Sequence, residues 1–105
     1  MNATEQWYYE NHLLGKYSKV MYERVKFVLY PSNPETKSRE ATYLPDFWCL
    51  DDNGEIHIHE TKGFCDEADR LKVKMAASLF PEVRWFLVQV GYKKKQFLIT
   101  KTEEF

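Results

Sequence analysis

The chain has 105 residues, 44% of them hydrophobic and 30% charged, with a formal net charge of −1. That length suits one domain, residues 1–105. The balance suits a folded rather than a disordered chain, and no apolar run is long enough to cross a bilayer. Aromatic residues make up 16% of the chain, with seven Tyr, seven Phe and three Trp, so large side chains can fill a substantial core despite the small size. The net charge argues weakly against a nucleic-acid partner, but the charge is unevenly spread. Residues 1–60 hold six Lys/Arg against ten Asp/Glu, whereas residues 61–101 hold nine against four. The acids thus concentrate upstream, where a cation would offset them, and the downstream half is basic. The segment Met1–Glu5 has neither a basic head nor an apolar stretch, so it does not read as a secretory signal. Cys49 and Cys65 lack metal-type spacing. They read as reduced thiols in an intracellular, cytoplasmic protein, with one disulfide as the alternative.

Residues 3–14 read as a helix. Asn2 is its N-cap, Glu5 completes a capping box, Trp7, Asn11 and Leu14 lie along one side, and Gly15 stops it. Arg24–Tyr30 alternates and reads as a strand, ended by Pro31-Ser-Asn-Pro34, and a polar loop runs on to about Glu40. A second strand covers 42–50. Asp51-Asp-Asn-Gly54 predicts a tight hairpin with positive φ at both Asn53 and Gly54, so the next strand, from Glu55, should pair antiparallel. Residues 66–80 read as a helix capped by Asp66 and stopped before Pro81. One ridge is Leu71, Met75 and Leu79, and the next is Ala68, Lys72 and Ala76. Arg84–Val90 reads as an interior strand ended by Gly91, Lys93–Lys95 as a basic turn, and 97–100 as a last edge strand. The strand–helix–strand step from 55 to 90 implies a parallel right-handed crossover. The expected fold class is therefore α/β (α+β), a mixed central sheet flanked by helices.

The chemistry concentrates at Pro45-Asp46 and Glu60-Thr61-Lys62. On a strand, Glu60 and Lys62 share a face and Thr61 points away. The hairpin brings Asp46 to the same end of the sheet, far from the turn. Two carboxylates and an amine meeting there can hold a hard divalent cation and set a water against a phosphate. His57 and His59 face away from Glu60, so one mononuclear site cannot use all three, and they read as packing on the other face or meeting solvent. Cys65 has no predicted His partner and is not a nucleophile.

Pro45-Asp46, thirteen intervening residues and Glu60-Thr61-Lys62, on an αβββαβ layout, resemble the PD-(D/E)xK, restriction-endonuclease-like superfamily. The wider run from Thr42-Tyr-Leu-Pro-Asp-Phe47 through Glu60-Thr-Lys-Gly63 to Asp69-Arg70, Lys72 and Phe80-Pro-Glu82 is similar to the phage endonuclease I family of Holliday-junction resolvases, over about residues 4–90. The resemblance implies a Mg²⁺-dependent endonuclease, with Mn²⁺ able to substitute, acting on branched DNA. Asp46 and Glu60 would be metal ligands with the Thr61 carbonyl, Lys62 the catalytic lysine, and Glu5 a helper acid from the first helix. A homodimer would present two sites to a two-fold junction. The chain departs from that family at its ends: only four residues precede Glu5, and no basic extension follows Phe105. Lys72, Lys74, Lys93, Lys94 and Lys95 are candidate phosphate contacts. The alternatives are the same nuclease on duplex, nicked or single-stranded DNA, and a catalytically silent module that binds DNA or a protein.

Overall fold

The computed structural model describes residues 1–105. A five-stranded mixed sheet runs through the molecule in the order β1 (Lys19–Tyr22), β4 (Phe47–Leu50), β5 (Ile56–Lys62), β6 (Arg84–Lys93), β7 (Gln96–Glu104). Only β5 and β6 are parallel, joined by helix α2 (Glu67–Leu79), and the other neighbours are antiparallel. A separate hairpin, β2 (Phe27–Tyr30) with β3 (Ala41–Tyr43), lies on the α2 side. The expected parallel crossover and mixed sheet are present. No helix is long and apolar enough to cross a membrane.

The sheet carries one core on each face. On the α2 face, Tyr43, Ile58, Val73, Ala76, Val83, Trp85 and Leu87 pack together, with Phe27 edge-on to Trp85 at 4.8 Å. On the other face, Tyr8 and Leu13 cover Phe47, Cys49, Val88 and Val90. Alternation along β6 sends Trp85 and Leu87 one way and Val88 and Val90 the other, as a strand covered on both sides requires.

Several expectations are corrected. The first helix, α1, is α-helical over Ala3–Tyr8 and π-helical over Tyr9–Leu13, closed by a Leu14 amide that donates to the Tyr9 carbonyl at 2.8 Å. The wider π turn rotates the side chains, so Leu13 and Tyr8 enter the core while Asn11 and Leu14 stay exposed. Gly15, at φ +77°, then releases the chain. Lys19–Tyr22, outside every expected element, is β1 and pairs with β4, a place that the segment 24–30 does not take. Only Phe27–Tyr30 of that segment is a strand, and it lies outside the main sheet. The run 42–50 is two strands, because Pro45 has no amide to donate and the ladder breaks there.

The turn after β4 is a longer loop. Only Gly54 has positive φ (+79°), and Asp51 Oδ1 accepts the amides of Asn53 and Glu55 at 2.9 and 2.8 Å. The two-residue turn with both central φ values positive occurs instead at Lys94 and Lys95, at +52° and +62°. Gly91 does not end β6 but lies within it, opposite Leu98, and β7 runs nine residues rather than four. On α2, the buried positions are Val73 and Ala76, while Leu71, Met75 and Leu79 are exposed. Both cysteines are free thiols.

Candidate metal centre at the end of the sheet

The register Phe47↔His59 sets Asp46, at the Pro45 corner, beside Glu60 and Thr61. The broken ladder leaves the Asp46 side chain free to turn inward. Its Oδ2 accepts both the amide and the hydroxyl of Thr61, each at 2.9 Å. Its carboxyl also lies within hydrogen-bonding reach of Glu60. On the far side of Glu60, the Tyr43 hydroxyl donates to Oε2. Asp46, Glu60 and Thr61 are all buried. Thr61 therefore clamps Asp46 through its amide and hydroxyl, which leaves its carbonyl as the group that could serve a cation.

Glu5 caps its helix and also lies close to Asp46. Its Oε1 accepts the Asn2 amide and the Tyr22 hydroxyl, both at 2.8 Å, which completes the capping box. Its carboxylate also lies in a group with Asp46 and Glu23, whose oxygens fall within 4.8 Å of one another. Sequence reasoning missed Glu23 because it missed β1. Tyr22 ends that strand, and Glu23 turns out of it at φ +48° with its amide donating to the Asp46 carbonyl at 2.9 Å. The short apolar run Val20-Met-Tyr22 followed by an acid was the available signal. Asp46 is thus the hinge of four acids, with Glu60 on one side and Glu5 and Glu23 on the other.

This grouping is electrostatically unfavourable unless something offsets it. Burial, and next the Asp46 charge, push the Glu60 carboxyl up to about 8. Burial also raises Asp46, opposed by the two Thr61 hydrogen bonds. Burial and the Glu60 charge keep the Tyr43 hydroxyl protonated. At neutral pH, the Asp46–Glu60 pair holds a proton that a divalent cation would displace. Oxygen-only donors, all but Glu23 buried, fit a hard cation such as Mg²⁺.

A cleft of about 370 Å³ opens over this cluster, lined by Tyr43, Leu44, Asp46, Glu60, Lys62, Asp69 and Lys72. Lys62 is half-buried, and its Nζ rests 3.7 Å from Asp69 Oδ1 of α2. Lys72 Nζ sits 5.4 Å from the centre of the Tyr43 ring. The cleft therefore holds both cations on the same side as the acids. Lys74 is exposed, about 200° round α2 from Lys72 and outside the cleft. Lys93, Lys94 and Lys95 are exposed at the β6–β7 tip and do not line the cleft.

His57 and His59 face away from Glu60, as expected, but neither merely packs. His57 Nε2 donates to Glu55 Oε1 at 2.6 Å, and its Nδ1 hydrogen-bonds with the Tyr17 hydroxyl at 2.9 Å. The Tyr17 hydroxyl also hydrogen-bonds with His59 Nε2 at 3.0 Å, and His59 Nδ1 hydrogen-bonds with the Tyr8 hydroxyl at 2.7 Å. The four bonds form one continuous chain of side chains. The chain ties α1, and with it Glu5, to the back of β5. Burial, and next the nearby His57, press His59 down to about 3.

Comparison of the chain with protein-family models, with curated proteins and with solved structures returned no match.

Proposed function

We propose that the chain is a metal-dependent endonuclease of the PD-(D/E)xK, restriction-endonuclease-like type, hydrolysing phosphodiester bonds in DNA, with branched DNA as the preferred substrate. One observation carries the reading: Asp46 and Glu60, distant in sequence, bury their carboxyls against each other under a cleft that also holds Lys62 and Lys72. A buried like-charged pair costs stability, and a cation site gives it a purpose.

Mg²⁺ or Mn²⁺, when bound, would neutralise charge on the phosphate and acidify a water. Asp46, Glu60 and the Thr61 carbonyl would hold it, and Glu5 with Glu23 would supply a second position sharing Asp46. Thr61 fixes the Asp46 carboxylate so that it need not reorganise on binding. Tyr43 orients Glu60. Lys62 leaves Asp69 to hold the attacking water or to offset charge building on the phosphate oxygens. Lys72 contacts a flanking phosphate. The enclosed floor of the cleft keeps bulk water from screening these charges.

The test is cleavage of four-way junction, flap, nicked and linear DNA at one salt concentration with Mg²⁺, Mn²⁺ or chelator. Metal-dependent cutting, strongest on the junction, is the expected result. DNA retention without cutting of any topology would leave a silent binding module. Lys62→Met should lower the cleavage rate about 10²–10³-fold. It should leave the melting temperature within about 5 °C, because a part-exposed Lys62–Asp69 pair contributes under about 1 kcal/mol. Single-turnover rates and thermal melts on the same preparation check both halves.

A further inference from the structure

β6 does not stop where β5 stops. The parallel register pairs Lys62 with Gln89, after which the chain leaves the sheet at Gly63 while β6 continues to Lys93 with only β7 beside it. Four further residues at about 3.3 Å each carry this two-stranded ribbon roughly 13 Å past the catalytic edge. Period-two alternation keeps Gln89, Gly91 and Lys93 on the face that bears Lys62, and the β7 register adds Lys101, opposite Gln89, and Gln96, opposite Lys93.

The ribbon has a distinct charge. Residues 85–102 contain four lysines and no acid. Lys62 and Lys101 have carboxylate partners in Asp69 and Glu103, but Lys93, Lys94 and Lys95 are in no ion pair. The tip also departs from what its backbone prefers. Lys94 and Lys95 both adopt positive φ, where Asn-Gly would fit without strain. Charge is kept there against conformational preference. The back of the ribbon is anchored by Phe97 against Trp7, ring centres 5.7 Å apart.

We infer that the β6–β7 ribbon is a duplex-tracking arm, which lies along the DNA to one side of the cleft and places Lys93, Lys94 and Lys95 on backbone phosphates about four base pairs from the cut, taking 3.4 Å per base pair. A two-stranded ribbon has the width to enter the major groove, about 12 Å across. The contacts read no sequence, and their free-energy signature is release of counterions. The arm rests on the reading of the cleft as a phosphodiester-cutting site, and its test does not require cutting.

The variant is Lys93→Gln with Lys94→Asn and Lys95→Gly, which removes three charges and gives the turn residues it favours, so the hairpin survives. Lys37→Asn, also at positive φ (+60°) but on the β2–β3 loop, is the control. Fluorescence anisotropy with a 30-base-pair duplex in Ca²⁺, over 50–200 mM salt, should show the slope of log K against log salt shallower by about 2–3 and affinity lower by roughly 10–100-fold. The control should match wild type, and the melting temperature of the triple variant should hold or rise. Equal affinity and slope in the folded triple variant overturns the arm, including the case in which the tip serves a protein partner instead. Wild type that shows the arm's salt slope but never cuts sinks the nuclease reading and leaves the arm. Wild type that cuts while the triple variant binds unchanged does the reverse.

Discussion

Glu60→Gln should stop metal-dependent cleavage and make the metal-free protein more stable. Gln keeps an oxygen for the Tyr43 hydroxyl and offers an amide to Asp46, so both neighbours of Glu60 stay satisfied. What it removes is a buried charge beside another. The folded Glu60 carboxyl sits at about 8, above its ordinary 4.5. A group raised in this way contributes stability that is complete below pH 4.5 and lost as pH rises through 8. At pH 7.5 the loss is on the order of 2–4 kcal/mol, since each pH unit climbed above 4.5 removes about 1.4 kcal/mol. Glu60→Gln recovers it, which for a chain of this size raises the melting temperature by roughly 10 °C or more. The cleavage rate should fall about 10³-fold or further, with DNA retention by gel shift unchanged. Mg²⁺ or Mn²⁺ should stabilise wild type more at pH 8 than at pH 6, because the ions compete with a proton, and should stabilise the variant less, with little difference between the two pH values. A Glu60→Gln protein that melts lower than wild type at pH 7.5 would show that the pair is not strained. Such opposition between stability and activity is common at functional sites.

The second large effect is the pH profile of the metal-free protein. His59 is pressed down to about 3, against about 6.5 when unfolded. Its contribution to stability is complete above pH 6.5 and lost as pH falls towards 3, by up to about 5 kcal/mol across the whole range. Glu60 acts in the opposite direction between 4.5 and 8. From pH 6.5 to 4.5, the unfolded chain gains a proton at His59 while the folded chain keeps one at Glu60, and the two slopes cancel. Wild type should therefore show a plateau of stability between about pH 4.5 and 6.5. It should decline above the plateau through Glu60 and below it through His59. Glu60→Gln should abolish the upper decline and expose the His59 slope, about 1.4 kcal/mol per pH unit from 6.5 downward. His59→Gln, whose amide can still hydrogen-bond with the Tyr8 and Tyr17 hydroxyls, should flatten the lower decline. Urea unfolding at half-unit pH steps, with chelator present, measures all three curves. A wild-type curve that falls steadily from pH 6.5 to 4.5 would rule out the cancellation. The ion pairs of Glu103 and Glu104 also weaken in acid, but they are at or near the surface and contribute little.

The chain's local signals were strongest where one residue type settles one backbone question. Asn2 with Glu5 and Asp66 with Asp69 both form capping boxes, since a cap depends only on residues three apart. The strand around Ile56–Lys62, the helix after it and the parallel return were legible from period and length. The sidedness of Glu60, Lys62, His57 and His59 followed from alternation alone. Turn chemistry misled: Asn53-Gly54 suggested the tightest hairpin, but the Asp51 side chain closes a longer loop, and the tight turn fell to two lysines held by nine residues of β7.

Tertiary packing decided what no local pattern carries. Lys19–Tyr22 became a strand because the edge of β4 was open to it, and Glu23 reached the acids only through that pairing. Leu71, Met75 and Leu79 look like a core ridge on a helical wheel, yet the sheet takes Val73 and Ala76 because the β2–β3 hairpin fixes how α2 sits. The hydrogen-bonded Tyr8–His59–Tyr17–His57 chain joins residues up to 51 positions apart. Residue order therefore determined which side chains share a strand face and where helices begin, since both depend on bonds a few residues long. Which faces meet depended on long-range burial, whose free energy is set by the partner surface and not by the segment.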